Sequence, residues 1–442
     1  MPKATTDLIL EPTWLLPIVP RRTVLTGHSI AIGDGKISAI GPTREIREQF
    51  HATAIHRLDG QLLMPGLVNA HGHAAMVLLR GLAEDMPLDA WLRNRIWPIE
   101  AQWMSPDFVA DGVALALLEM LQSGTTCFSD MYFFPEVSAR ATQEAGMRAQ
   151  IAFPLVQFPN AWSSNAAEGF HKGLELHDEH RDDPLIRVAF GPHSAYALDK
   201  ADLVKTLTYA EEIDAPIHMH VHETAAEVEA ARRELGASHI HYLAELGLLV
   251  PRLQAVHLTQ VDDDELELLA ESGVRAVHCP QSNLKLGSGT CDIERFRRRG
   301  LIVGLGTDGA AANNTLDLFT ELRVAALLAK AVTGDPTTLP AFDALELATL
   351  GSACALGLDA TIGSIETGKA ADLISVDLTY SAALPLHRPE ATLLYGASGS
   401  HVRNAWVAGL RLLEEGKATM LDEAAVHARA ARWSTRLASL AS

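Results

Sequence analysis

Leu62-Leu63-Met64-Pro65-Gly66-Leu67-Val68-Asn69-Ala70-His71-Gly72-His73 reads as one buried strand ending in a His-x-His pair. Side chains alternate along a strand, so His71 and His73 project to the same side. Two imidazoles on one face can share a small cation. The pair gains weight from three further apolar runs with chemistry at their ends. His220-Val221-His222-Glu223 closes one, His257 another and Gly306-Thr307-Asp308-Gly309 a third. Nitrogen and carboxylate ligands gathered from several strand ends make an open catalytic metal site rather than a closed structural one.

Working outward, short apolar strand candidates alternate with longer helical patterns from residue 62 to about 365. The strands end at Ala70-His71, Phe128-Ser129-Asp130, Phe153, Gly191, His220, His257, His278 and Gly306, with helical spacing between them, as in Pro106 to Ser123 and Ala225 to Leu235. Such alternation predicts parallel βα units. Eight of them, with chemistry at the C-terminal strand ends, predict an α/β fold built on a (β/α)8 TIM-type barrel. A doubly wound sheet would carry a Gly-rich phosphate turn where Asn69-Ala70-His71-Gly72-His73 stands.

Residues 1–61 read differently: Val24 to Ile40 is strand-like, with a hairpin signal at Gly33-Asp34-Gly35. Strand patterns return at Ala371 to Val376 and Val402 to Gly409, and Leu421 to Leu440 reads as an amphipathic terminal helix. The expected organisation is a small β-rich domain made from both chain ends (1–61 and 366–442) flanking a metal-dependent barrel (62–365).

Composition bounds the function classes. Hydrophobic residues make up 48% of the 442 and charged ones 21%, ordinary for a large globular chain. The net charge of −19 argues against a nucleic-acid partner, which needs a basic footprint. Arg297-Arg298-Arg299 is short and shares a helical segment with Glu294, so a solvated face accounts for it. Cys127, Cys279, Cys291 and Cys354 lack CxxC spacing and read as reduced thiols. Asp7, Glu11 and Arg21-Arg22 break the N-terminal apolar stretches, and no run approaches the roughly 20 residues of a membrane span. A cytoplasmic protein without a membrane partner is expected; homo-oligomerisation is compatible with the sequence.

Placed on barrel strands, His71 and His73 come from strand 1, a strand-5 histidine joins them, and Asp308 comes from strand 8. Three imidazoles and one carboxylate suit one divalent ion, Zn²⁺ first and Fe²⁺ second. His218, His220 and His222 share one strand face, so alternation alone does not select the strand-5 ligand.

Pro65 to His73, His220-x-x-Glu223 and Gly306-Thr307-Asp308 resemble the amidohydrolase superfamily. Leu79 to Asp85, Trp97-Pro98-Ile99-Glu100, Gly191-Pro192-His193-Ser194 and Ser282 to Gly287 narrow the resemblance to the 5′-methylthioadenosine/S-adenosylhomocysteine deaminases. It covers nearly the whole chain. The resemblance selects His220 as the strand-5 ligand, because the family places it three residues before a catalytic glutamate, here Glu223. It implies one metal per subunit: the carbamylated lysine that bridges two metals in many relatives is missing from Val188 to His193.

Expected roles follow from that resemblance and from what aromatic deamination demands. Metal coordination brings a water's pKa to about 7. Asp308 takes the water's proton, His257 orients the attacking oxygen, and Glu223 serves as general acid/base toward the ring and the departing ammonia. His193 is expected on the substrate rather than the metal, Glu100 on the ribose hydroxyls, and Trp91 and Leu92 in the pocket wall. Some members carry an arginine after Gly-Met-Arg for the amino-acid tail of S-adenosylhomocysteine; here Gly146-Met147-Arg148 leads to Phe153, an apolar side chain better suited to a methylthio group.

The expected activity is hydrolytic deamination of an adenosine-type nucleoside, the small-molecule partner, to its inosine analogue and ammonia. A triazine or guanine aminohydrolase shares the metal site but has no ribose for Glu100. A catalytically dead barrel acting as a scaffold predicts eroded ligands, and the expected positions are all filled.

Overall fold

Eight short apolar runs form the parallel strands of one sheet that curls into a nearly closed barrel. In the computed structural model, which describes residues 3–438, barrel strands 1 to 8 are Leu67–Gly72, Thr125–Met131, Arg148–Leu155, Ile186–Pro192, Ile217–Val221, Leu253–His257, Arg275–His278 and Val303–Leu305. Each pairs in parallel with the next in sequence, and helices such as Pro106–Gln122, Lys200–Glu212 and Ala225–Leu235 cover the outside. Burial on both faces explains why these strands read as continuous apolar runs.

Strand 8 returns beside strand 1 through a close backbone approach. A Cβ at Gly306 would fall 2.8 Å from the Cβ of His71, so only glycine fits, and Asp308 N donates to His71 O at 3.0 Å.

Both chain ends build a second, nine-stranded mixed sheet. Its centre pairs Ala4–Leu15 in parallel with Phe50–Pro65, which pairs antiparallel with Leu373–Asp377. His28–Gly33 and Lys36–Pro42 form the expected hairpin, with Asp34 and Gly35 at positive φ (52° and 73°) as a type I′ turn requires.

The run Leu62 to Ala70 is not one strand. Phe50–Pro65 belongs to the end sheet and Leu67–Gly72 to the barrel, and the chain changes sheets at Gly66. There a Cβ would collide with Thr126 Oγ1 at 2.0 Å. The terminal helix spans Glu423–Leu437; residues 439 and 440, which the sequence pattern includes, lie outside the described residues. Among the described residues no helix is long and apolar enough to cross a membrane. Arg298 and Arg299 are exposed, whereas Arg297 is half-buried between Glu294 and Asp343.

One buried ion pair ties the two sheets together. Arg148, at the start of barrel strand 3, donates through Nε to Asp372 Oδ2 at 2.7 Å, and both side chains are almost fully buried. Asp372 also accepts from Ala408 N at 2.7 Å. Removing one member of such a pair strands the other charge away from water. Asp372→Ala is therefore expected to cost about 3–5 kcal/mol in denaturant unfolding, with much of the loss recovered when Arg148→Met accompanies it.

Candidate active site

The C-terminal strand ends bring the sequence-predicted donors together. His71 and His73 reach in from strand 1, His220 from strand 5, His257 from strand 6 and Asp308 from the turn after strand 8. His71 Nε2 lies 3.3 Å from His220 Nε2 and 3.5 Å from Asp308 Oδ1, while His73 Nε2 is 3.3 Å from the same carboxylate oxygen. Two triples of donor atoms each fall within 4.8 Å: His71 with His73 and Asp308, and His71 with His220 and His257. His71 belongs to both, so it sits at the centre of the cluster.

Burial favours the neutral form of His71, His193 and His220. Burial lowers the pKa of His71 and His220 well below the usual value, and that of His193 to about 4. Neutral rings offer lone pairs, as metal ligation requires. Their far nitrogens are anchored: His73 Nδ1 donates to Met131 O (2.6 Å) and His220 Nδ1 to His193 O (2.8 Å). Asp308 accepts from Ser282 Oγ at 2.6 Å and from Gly309 N at 2.7 Å, which fixes its carboxylate toward the cluster. His222, His257 and Asp308 adopt left-handed backbone, with φ of 51°, 78° and 62°. This donor set, with a cavity above it, fits one divalent cation with an open position for water.

Glu223 stands at the cluster's rim with Oε2 3.7 Å from His257 Nε2. Burial first, then the charges of Asp308 and Glu227, push its carboxyl well above the usual range, which favours the protonated form. Its backbone N–H is held by Glu227 Oε2 at 2.9 Å. His257 Nδ1 donates to Asn283 Oδ1 at 2.9 Å. Ser282 and Asn283 were legible only as part of a motif; their partners lie 26 residues away in each case and nothing in the spacing assigns them these roles. Cys279, one residue after His278, is buried and its thiol is pushed well above the usual range by burial, so it offers no nucleophile.

A cavity of about 640 Å³ opens over the cluster, lined by His73, His193, His220, Glu223, His257 and Asp308 and also by Glu100. Glu100 lies inside the helix Trp97–Trp103, which belongs to a long insertion between barrel strands 1 and 2. Tyr132 Oη donates to Glu100 Oε1 at 2.7 Å, and burial raises the Glu100 carboxyl to about 7 despite that bond and the nearby His73. Trp91 and Leu92 line the wall, as expected.

Phe153 does not line it. Strand alternation turns this side chain outward into the core, where its ring meets Phe190 at 4.8 Å and the helix Ala166–Glu179 at Gly173. It therefore carries no information about the substrate's tail. The outer cavity is walled by Trp97, Phe133, Phe158 and Pro159, and Arg93 is the one Lys or Arg among its described lining residues.

Known proteins resemble this chain over nearly its whole length. Residues 62–412 match the amidohydrolase family. The chain is 46% identical over 433 residues to a 5-methylthioadenosine/S-adenosylhomocysteine deaminase from Teredinibacter turnerae, covering 98% of each chain. It is 44% identical to an adenosine deaminase from Xanthomonas campestris whose crystal structure contains zinc, with a TM-score of 0.98 over 99% of this chain and 100% of that one. An atrazine chlorohydrolase from Arthrobacter aurescens complexed with zinc shares the fold at 23% identity, with a TM-score of 0.88 over 96% of this chain and 99% of that one.

The single cluster centred on His71 predicts one divalent ion per chain. Metal analysis of the purified protein should give that ratio, and His71→Ala should lose the ion while remaining folded. Two tightly held ions per chain, or retention by His71→Ala, would contradict the assignment.

Proposed function

The chain belongs to the amidohydrolase family, and from that premise we propose that it is a metal-dependent deaminase of adenosine-type nucleosides. The reading takes 5′-methylthioadenosine, S-adenosylhomocysteine or adenosine to the inosine analogue and ammonia. One observation carries it. A largely buried Glu223 lines, with His73, His193, His220, His257 and Asp308, a cavity large enough for a nucleoside.

His71, His73, His220 and Asp308 would hold the ion, with zinc favoured by the zinc-containing relative. Gly191-Pro192-His193 closes strand 4 without a lysine, which supports a single ion. When bound, the ion supplies Lewis acidity that brings a water's pKa to about 7.

The protein's own groups manage the protons. Asp308, held by Ser282 and Gly309, accepts a proton from the attacking water. His257, tied back to Asn283, orients that water with Nε2. Glu223 gives its proton to purine N1 as the water oxygen bonds to C6. The hydroxyl proton on C6 then returns to Glu223, and the proton on Asp308 passes to the amino nitrogen. The C6–N bond breaks, ammonia leaves, and C6 keeps the oxygen as a carbonyl. His193, in the cavity beside His220, serves the bound base.

Glu100 favours a nucleoside over a bare triazine or guanine. Its carboxyl is inside the cavity wall and held by Tyr132, placed to accept from vicinal hydroxyls. Arg93, with Nε on Asp89 at 2.5 Å and its guanidinium 5.8 Å from the Trp97 ring centre, is the group able to meet a carboxylate on a substrate's tail. Free thiols at all four cysteines fit a cytoplasmic enzyme.

Glu223→Gln keeps the shape but removes the transferable proton. Metal should stay bound while turnover falls by about 10²-fold or more. Loss of metal would move Glu223 into the ligand set.

A second comparison separates the ends of the substrate. Charge-assisted hydrogen bonds are worth about 1.5–3 kcal/mol each, so Glu100→Ala should lower kcat/KM by roughly one to three decades on both methylthioadenosine and S-adenosylhomocysteine. Arg93→Gln, altering a solvent-exposed charge, should cost roughly three- to tenfold on S-adenosylhomocysteine and leave methylthioadenosine nearly unchanged. Equal losses on both substrates would remove Arg93 from tail recognition.

A further inference from the structure

Four imidazoles face the cation cluster, and in three of them the nitrogen turned away meets an oxygen. His73 Nδ1 meets Met131 O, His220 Nδ1 meets His193 O and His257 Nδ1 meets Asn283 Oδ1. An oxygen acceptor requires N–H, so each ring carries its hydrogen on Nδ1 and leaves Nε2 as a lone pair for the cluster. His71 differs. Its Nδ1 lies 2.8 Å from Nε2 of His218, an atom that accepts in one tautomer and donates in the other.

We propose that His218, Gln254 and Gln150 form a tautomer relay that sets His71 for metal binding. His218 Nδ1 lies 2.8 Å from Gln254 Oε1. That oxygen accepts from His218 Nδ1–H, which leaves His218 Nε2 as a lone pair. His218 Nε2 in turn accepts from His71 Nδ1–H, and His71 Nε2 is freed toward Asp308 and His220. Gln254 is oriented by a reciprocal amide pair: Gln150 Nε2 donates to Gln254 Oε1 at 2.7 Å and Gln254 Nε2 to Gln150 Oε1 at 3.0 Å. Ser129 Oγ, 3.0 Å from Gln150 Nε2, closes the chain at strand 2.

The relay has a second polarity. If both amides turn over, Gln254 Nε2–H points at His218 Nδ1, His218 donates from Nε2, and His71 must carry its hydrogen on Nε2. That ring cannot ligate. His218, Gln254 and Gln150 are fully buried, so water cannot supply the missing acceptor. These positioning residues are drawn from barrel strands 5, 6 and 3, and together they hold His71, the donor shared by both triples.

The inference rests on the reading of His71 as a metal ligand, and the test separates the two. Zinc dissociation constants are measured by chelator competition for the full chain and for His71→Ala, His218→Phe and His218→Gln. Outer partners of ligating histidines contribute about 10- to 100-fold in affinity. His218→Phe should therefore weaken zinc binding by that factor. His218→Gln, whose amide oxygen can stand at the Nε2 position, should bind within a few-fold of the unmodified chain.

Long-range ¹H–¹⁵N spectra of the zinc-loaded chain with labelled histidine should show hydrogen on Nδ1 of both His71 and His218. They decide the matter even if His218→Phe does not fold. Native affinity in folded His218→Phe, or hydrogen on Nε2 of His218 in the zinc-loaded chain, overturns the relay. Native affinity in His71→Ala overturns the ligand reading instead.

Discussion

The seam between barrel strands 1 and 8 is the constraint on which the site depends. Strand 1 brings two histidines and strand 8 leads into a carboxylate, and neither holds a cation alone. Gly306 lets the backbones approach until a Cβ would touch His71, and Asp308 N bonds to His71 O across the join. With a side chain at Gly306 the strands would separate, and Asp308 Oδ1 would no longer sit between His71 and His73. The left-handed backbone at Asp308 is part of the same join: it turns the carboxylate back over the barrel mouth, and aspartate tolerates that conformation better than most residues. Barrel closure and donor convergence are thus one event.

Around that seam the protein controls protonation by burial. Burial lowers the pKa of His71 and His220 and raises that of Glu223, which favours lone pairs on the rings and a proton on the carboxyl within one site. The outer cavity works differently. Its walls are apolar and aromatic, and polar groups occur sparsely, with Glu100 on Tyr132 and Arg93 on Asp89. The donors stand on rigid strand ends, while the cavity walls come from the helical insertion after strand 1 and from the loops after strands 2 and 3.

Much of this was legible from sequence because the decisive residues sit in short local patterns. His71-x-His73, His220-x-x-Glu223 and Gly306-Thr307-Asp308 each occupy one strand end, where alternation and a terminating glycine or acid can be read from neighbouring residues. What escaped depends on distant partners. The division of Leu62 to Ala70 between two sheets follows from Thr126 packing against Gly66, which no local pattern reveals. Phe153 looked like a pocket residue, but strand alternation turns it into the core against a helix 20 residues away in sequence at Gly173. His218 shares a strand face with His220 and His222, and alternation gives it no role; its link to His71 spans 147 residues. Ser282 and Asn283 were visible as a motif without a role until the fold placed them behind Asp308 and His257.

The central claim is that this cavity deaminates a nucleoside and not a bare heterocycle. Ammonia release by the zinc-loaded protein, measured side by side on 5′-methylthioadenosine, S-adenosylhomocysteine, adenosine, guanine and an amino-triazine, tests it most directly. The account predicts turnover on the nucleosides, with kcat/KM exceeding that of guanine and the triazine by at least about tenfold, the equivalent of one 1.4 kcal/mol ribose contact. Preferred turnover of guanine or the triazine would contradict it, leaving the metal site intact and Glu100 without a ribose to hold.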